Sequence, residues 1–337
     1  MIAYVIRRLF TGVVLLLVVS LATFVIFFVV PRLAGASPDT LASRYVGKAP
    51  TPQAVQAVKE RLGLDDPLIV QYGRFVKGIV AGNEYKAGND VVLCNTPCFG
   101  YSFRNSVEVW PQLMDRLPVT ASLAAGAALL WLLAGVSIGV VSALRRGSFF
   151  DRLGMTTALA GVSLPVFFTG LVSLALFSYY WEIFPAGGSY TPITENPGLW
   201  AYSLVLPWCT LAFLYAAMYA RLTRAGMLDT MNEDYIRTAR AKGLREGAVV
   251  TRHGLRAALT PIVTIFGLDL GLMLGGAVLT ESTFGLPGMG KLAVDAIRGS
   301  DLPIVLGVTM FTAFFVVIAN IIVDLLYAVI DPRVRLG

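Results

Sequence analysis

Long apolar runs separated by short polar connections dominate the chain. Crossing roughly 30 Å of hydrocarbon takes about 20 apolar residues, and runs of that kind lie near 9–30, 118–144, 155–180, 201–221, 260–281 and 303–330. The pattern predicts six spanning helices with both termini on one side of a membrane. Pro165 in the third run removes a backbone donor and predicts a bend. The one long polar segment, 31–117, reads as a small folded domain. In it Thr51 followed by Pro52 suits a helix start, and the run through Glu60 to Leu62 ends at Gly63. A second helix is predicted from Pro67 to about Val80. Residues 82–100 are rich in Gly and Asn. Ser106 to Leu117 mixes Val107, Val109, Trp110, Leu113 and Met114 with charges, the pattern of an interfacial elbow with Trp110 at the headgroup level.

Composition agrees with a membrane protein: of 337 residues 56% are hydrophobic and 14% charged, with a mean hydropathy of +0.71. The basic residues set orientation. Arg7 and Arg8, the loop with Arg145, Arg146 and Arg152, the connection 222–259, and the tail with Arg333 and Arg335 belong on one face, which is then cytoplasmic. The 182–200 connection carries no Lys or Arg, and 282–302 carries only Lys291 and Arg298. The net charge of +6 is thus mainly a topology signal, and no basic patch interleaved with aromatics points to nucleic acid. Ala34-Gly35-Ala36 has the form of a signal-peptidase site. The apolar run before it is longer than the roughly 7 to 15 residues of a signal peptide, which predicts a retained first helix.

Residues 233–261 form a basic polar segment between two apolar stretches. Asp234 to Ala241 is a good helix former closed by Gly243, and a second helix is expected to stop near Pro261. Arg237, Arg240, Lys242, Arg245, Arg252 and Arg256 make it cationic. Such a run serves either as a solvated loop or as a docking element.

Candidate chemistry within the spans is sparse. Gly267, Gly271 and Gly275 recur every four residues and predict a smooth helix face, for static packing or for sliding contact. Asp269 needs a reason to lie in a span: it either lines a translocation path or makes a structural hydrogen bond or ion pair. Glu281 is expected at the outer end of the fifth span. Asn320 and Asp324, one turn apart, are expected to meet another helix or Arg7 or Arg8. Gly285 to Lys291 fits a phosphate-loop spacing, but Leu292 stands where magnesium needs Ser or Thr, so a turn followed by a re-entrant or surface helix is expected. Cys94 and Cys98 predict a disulfide on the oxidising side, and Cys209 a small buried residue. His253 is the sole histidine, which argues against metal sites and most catalytic arrangements.

Six blocks carry a resemblance: YVIRRL at 4–9, ERLGLDDPLIVQYGRF at 60–75, SLPVFFTG at 163–170, DYIRTARAKGL at 234–244, ESTFGLPGMGKL at 281–292 and NIIVDLLYAVIDPRVR at 320–335. In these the chain resembles the inner-membrane permeases of ABC importers of the oligopeptide, dipeptide and nickel family. The resemblance implies an all-α polytopic membrane protein of six transmembrane helices, type I permease-like, with a small external domain between the first two. It implies three parts: 1–30, the N-terminus and first helix; 31–117, the external domain; and 118–337, a five-helix core. The 222–259 connection resembles the EAA loop that couples to an ATPase. Asp234, Tyr235, Ile236, Arg237, Ala239, Arg240, Lys242 and Gly243 would then contact the ATPase, with Tyr235, Ile236 and Ala239 seated in its groove. Arg237, Thr238 and Ala239 stand where the general pattern has Glu-Ala-Ala, and His253 to Arg256 replace its Ile-x-Leu-Pro.

Further implications are a second homologous permease, one or two cytoplasmic ATPase subunits holding the ATP and magnesium, an external binding protein, and a place in the inner membrane. No cofactor falls to this chain. Asp269 and Glu281 are the path candidates. Peptides are the first expectation for cargo, with nickel or haem as alternatives within the family. A secondary transporter or channel would also explain six spans, but it would be expected to show an internal repeat. An enzyme would need a catalytic constellation that is missing.

Overall fold

The computed structural model describes residues 2–46, 51–87 and 90–330, with side chains from 6 to 323 except at 87 and 90. The predicted roles of Arg333, Arg335 and the Asp324 side chain lie outside the described residues. Among the described residues four helices are long and apolar enough to cross a membrane: Ile6–Leu33, Val109–Leu144, Pro197–Met231 and Leu302–Val323. Two bent pairs are further candidates: Phe149–Ser163 with Val166–Tyr180, turned by 102°, and Glu246–Ala258 with Thr260–Leu274, turned by 50°. The first bend follows from Pro165, which drives the preceding Leu164 into an extended conformation (φ −89°, ψ 129°) because its ring excludes the helical one. The second falls just before Pro261, in the first turn of its helix, where a missing N–H costs little.

The chain divides into two compact units. One comprises Met1–Thr120, Leu274–Val278 and Pro287–Gly337, the other Ala121–Met273 and Leu279–Leu286.

In the first unit the first and last long helices touch closely, since a Cβ added at Gly12 would lie 2.7 Å from Ile321 Cδ1. The 31–117 segment folds around Leu41, Ala42, Tyr45, Val58 and Leu64. Its helices include Pro52–Leu62, capped by the Thr51 side chain and ended by Gly63 in the left-handed conformation, and Leu68–Ala81. The chain is mostly helical, as expected, and departs from helix here in two short hairpins. Asn83–Ala87 pairs antiparallel with Asp90–Cys94, Tyr85 opposite Val92, and Tyr101–Ser102 pairs with Val107–Glu108, because Tyr and Val suit a half-buried pleat. Cys94 and Cys98 are joined by a disulfide and pack with Tyr85.

The segment expected as an elbow is continuous with the next long helix, Val109–Leu144. The helix starts at Val109 directly after the strand, because Val109 and Leu113 bury fully against Met289, Ile304 and Phe311, and Trp110 stacks on Phe99 at 5.6 Å. Nearby, Asp301 is 2% exposed. It accepts from the Ser102 hydroxyl and from Asn105 Nδ2 at 3.1 Å, and burial pushes its carboxyl above the usual range.

The fifth run ends earlier than its hydropathy suggests. Its helix stops at Leu274, and Gly276 takes a φ of +123°. A Cβ on Gly276 would sit 2.5 Å from the Gly290 nitrogen, and one on Gly290 would sit 2.6 Å from Val278 Cα, so backbone lies on backbone. Gly275 follows directly on the helix that carries Gly267 and Gly271 and meets Thr312, whose hydroxyl donates to the Gly275 carbonyl at 3.0 Å. The helix Met289–Gly299 follows the glycine-rich turn, as expected.

In the second unit the close glycine contacts lie elsewhere. Cβ atoms on Gly135 and Gly139 would come within 2.9 Å of the Ala216 carbonyl and 2.6 Å of the Ala220 carbonyl. This is the small-residue approach that binds helices where lipid offers no hydrophobic drive. Cys209 is exposed, at an apolar groove lined by Leu130, Ala134, Phe213 and Ala216, so it is not the buried residue expected. Glu281 sits in the separate helix Val278–Phe284 and is 0% exposed.

Candidate functional site

The polar segment begins with the helix Asp234–Ala241. Asp234 lies in its first turn, where the helix dipole favours negative charge. Gly243, at φ +76°, closes its end: its N–H donates to the Arg240 carbonyl at 2.9 Å, and that of Leu244 to the Ala239 carbonyl at 3.4 Å. A left-handed residue is what lets these last carbonyls find donors. A Cβ there would meet nothing within 4 Å, so the glycine is required by conformation and not by crowding.

One face of this helix is anchored to its own chain. Ile236, Ala239 and Val249 form a small core with Met231, with Ile236 0% exposed. Seating Ile236 and Ala239 in a partner groove is thereby corrected, since both are already buried. Arg240 reaches across the glycine turn to Glu246, Nε to Oε2 at 3.1 Å and Nη2 to Oε1 at 2.7 Å. This two-point pair fixes the angle between the helix and the next one. Arg237 lies 3.5 Å from Asp234.

The outward face is what remains. Tyr235 is 46% and Leu244 44% exposed, and Lys242, Arg245, Arg252 and Arg256 are exposed around them. Burial, with Glu233 second, pushes the Tyr235 phenol up. The arrangement is a cationic ridge with two apolar knobs on a braced helix, suited to an acid-rimmed groove on another protein.

A second cluster lies among the long helices of the same unit. The Tyr219 hydroxyl donates to Asp269 Oδ2 at 2.8 Å. Trp131, fully buried, stacks on Tyr215 with centroids 4.6 Å apart and lies 6.1 Å from Tyr219 and 6.0 Å from Phe266. The sequence marked Asp269 but missed the rings. Their signal is spacing: Tyr215 and Tyr219 are four apart and Phe266 and Asp269 three apart, so each pair shares a helix face. Glu281 does not join this cluster, and Gly271 is buried while Gly267 is half-buried.

A third arrangement was not anticipated. Asp151 Oδ1 accepts from Arg224 Nε at 2.7 Å and Oδ2 from Arg224 Nη2 at 2.9 Å, and the Gly147 N–H donates to Oδ2 at 2.9 Å.

Residues 135–336 match the family described as binding-protein-dependent transport system inner membrane component. Residues 1–124 match the corresponding N-terminal family. A probable peptide ABC transporter permease protein of Sinorhizobium fredii is 37% identical over 98% of this chain and 99% of that one. A dipeptide transport system permease protein of Alkalihalophilus pseudofirmus is 34% identical over 99% of this chain and all of that one (100%). A solved amino acid ABC transporter is similar at a TM-score of 0.45, with 15% identity over 66% of this chain and 94% of that one.

Proposed function

The chain belongs to the binding-protein-dependent transport system inner membrane components, and from that premise we propose that it is the permease subunit of an ATP-driven peptide importer. A binding protein outside the cell hands over the peptide, and this chain with a second permease surrounds its path through the inner membrane. ATP and magnesium are held by one or two cytoplasmic ATPase subunits. The termini and the 222–259 connection face the cytoplasm, and the 31–117 segment faces outward.

The observation that supports this reading best is the braced helix Asp234–Ala241. Its inner side is spent on Ile236 and Ala239, so a push on Tyr235, Leu244 and the surrounding cations is passed to Val249 and on to the bent helix pair instead of being lost in a loose loop. The ATPase groove it enters is expected to be acidic at its rim.

The test is purification of the tagged chain in mild detergent, followed by mass spectrometry. A second permease and one or two ATPases are expected with it. Recovery of the chain alone or as a homo-oligomer at full yield would overturn the reading. In the reconstituted complex Gly243→Val is expected to leave ATP hydrolysis running with little peptide uptake, and uptake at the wild-type rate would remove the coupling role.

A further inference from the structure

We infer that Asp269 and the rings around it form a recognition site for an organic ammonium group, here the free α-amine of a peptide in transit. That identification of the amine rests on the peptide-importer reading, whereas the ammonium chemistry rests on the cluster itself.

Asp269 lies in an apolar helix, and among the described residues no Lys, Arg or His stands within ion-pair reach of it. Its one hydrogen bond there comes from the neutral Tyr219 hydroxyl to Oδ2, which leaves Oδ1 for another donor. Asp269 itself is half-buried, as are Tyr215 and Phe266, whereas Trp131 and Tyr219 are buried. The buried pair therefore forms the back of the cluster and the other three its accessible front.

A carboxylate and aromatic rings together select organic cations. The ring faces attract an ammonium within about 6 Å of their centroids, and the carboxylate oxygen accepts its N–H in a charge-assisted bond. A metal fits less well. One carboxylate and phenol oxygens make a poor donor set, and among the described residues no group of three His, Cys, Asp or Glu side chains could hold one. A primary amine supplies three donors and one charge, which matches an oxygen that has no donor among the described residues, on a residue whose partner Tyr219 belongs to a cluster of aromatic rings. Trp131 holds the geometry, because it touches Tyr215, Tyr219 and Phe266 at once.

The test uses the purified complex without ATP, titrated with alanyl-alanine amide and with its N-acetylated form. These probes differ chiefly in the amine and its charge. In the wild type the amine form is expected to bind at least about tenfold tighter. Asp269→Asn keeps the acceptor for Tyr219 but removes the charge, and is expected to bring the two affinities together. Asp269→Glu should restore part of the preference, and Tyr215→Leu should weaken the amine form alone. Equal binding of the two probes by the wild type, or a preference that survives Asp269→Asn, would overturn the site. Co-purification of partner subunits with the variant shows that it has folded. Peptide uptake is read separately: amine binding that depends on Asp269 in a complex that imports no peptide would sink the peptide reading and leave the ammonium site standing.

Discussion

Asp151 and Asp269 are both carboxylates set in apolar helices of one unit, and their surroundings treat them in opposite ways. Asp151 is held at two points by Arg224 and by the Gly147 amide, near a helix start capped by Ser148. Every oxygen has a charged or backbone donor, and its side chain is 7% exposed. Among the described residues Asp269 has one neutral donor, the Tyr219 hydroxyl, on Oδ2. A carboxylate at a helix centre costs about 2.5 to 3.5 kcal/mol on insertion scales. Asp151, in the first turn of its helix and away from such a centre, is paired within the chain. On the reading proposed above, the ammonium group of a ligand offsets that cost at Asp269, and that would be the difference between a structural charge and a working one.

The contrast is exposed to four measurements. The largest effect is expected from Arg224→Met, which strands Asp151 beside apolar helices and should lower stability by about 3 kcal/mol, read as thermal unfolding in detergent. Adding Asp151→Asn should recover much of the loss, and a melt unchanged by Arg224→Met would remove the structural half of the comparison.

Asp301 is an intermediate case, buried, with the neutral Ser102 and Asn105 as its side-chain donors among the described residues. Burial raises its pKa, so the folded chain holds this proton more tightly than the unfolded one. The stabilisation is therefore present in acid and lost as pH rises above the ordinary aspartate value of about 3.9 toward the folded one. Asp301→Asn should flatten that part of the melting profile against pH, and an unaltered profile would take Asp301 out of the series.

Asp269→Asn should leave the melting temperature equal or slightly higher, since it removes an uncompensated charge. A drop like that of Arg224→Met would make both carboxylates structural. The smallest effect belongs to Arg240→Met, at an exposed pair of the kind that contributes little to stability. Its melt should match the wild type while ATP-coupled uptake falls, and unchanged uptake would show that the brace across Gly243 is dispensable.

What could be read in the sequence was local. Thr51, Pro52 and Gly63 carry the start and stop of a helix in their own chemistry. Pro165 announced a break, and Gly243 a turn. Which face of an element is buried is a tertiary matter. Ile236 and Ala239 look like a docking surface until Val249 and Met231 are seen covering them. Glu281 sat at the end of an apolar run that continues in composition but not in helix, because Gly275 and Gly276 end it. The aromatic cluster escaped for a related reason: Trp131, Tyr215 and Phe266 come from three helices, and nothing in the local pattern brings them together. The short strands at 83–108 were hidden among glycine and asparagine, which read as loop.

The bare crossing of backbones at Gly276 and Gly290 has a genetic consequence. Neither position has room for even a methyl group without moving main chain, so in a library of all single substitutions selected for function both should accept glycine alone. Gly247, with open space around it, should accept most residues. The two intolerant sites would appear as isolated minima 14 positions apart in the sequence, and the pairing between them is invisible to any score that treats positions one at a time.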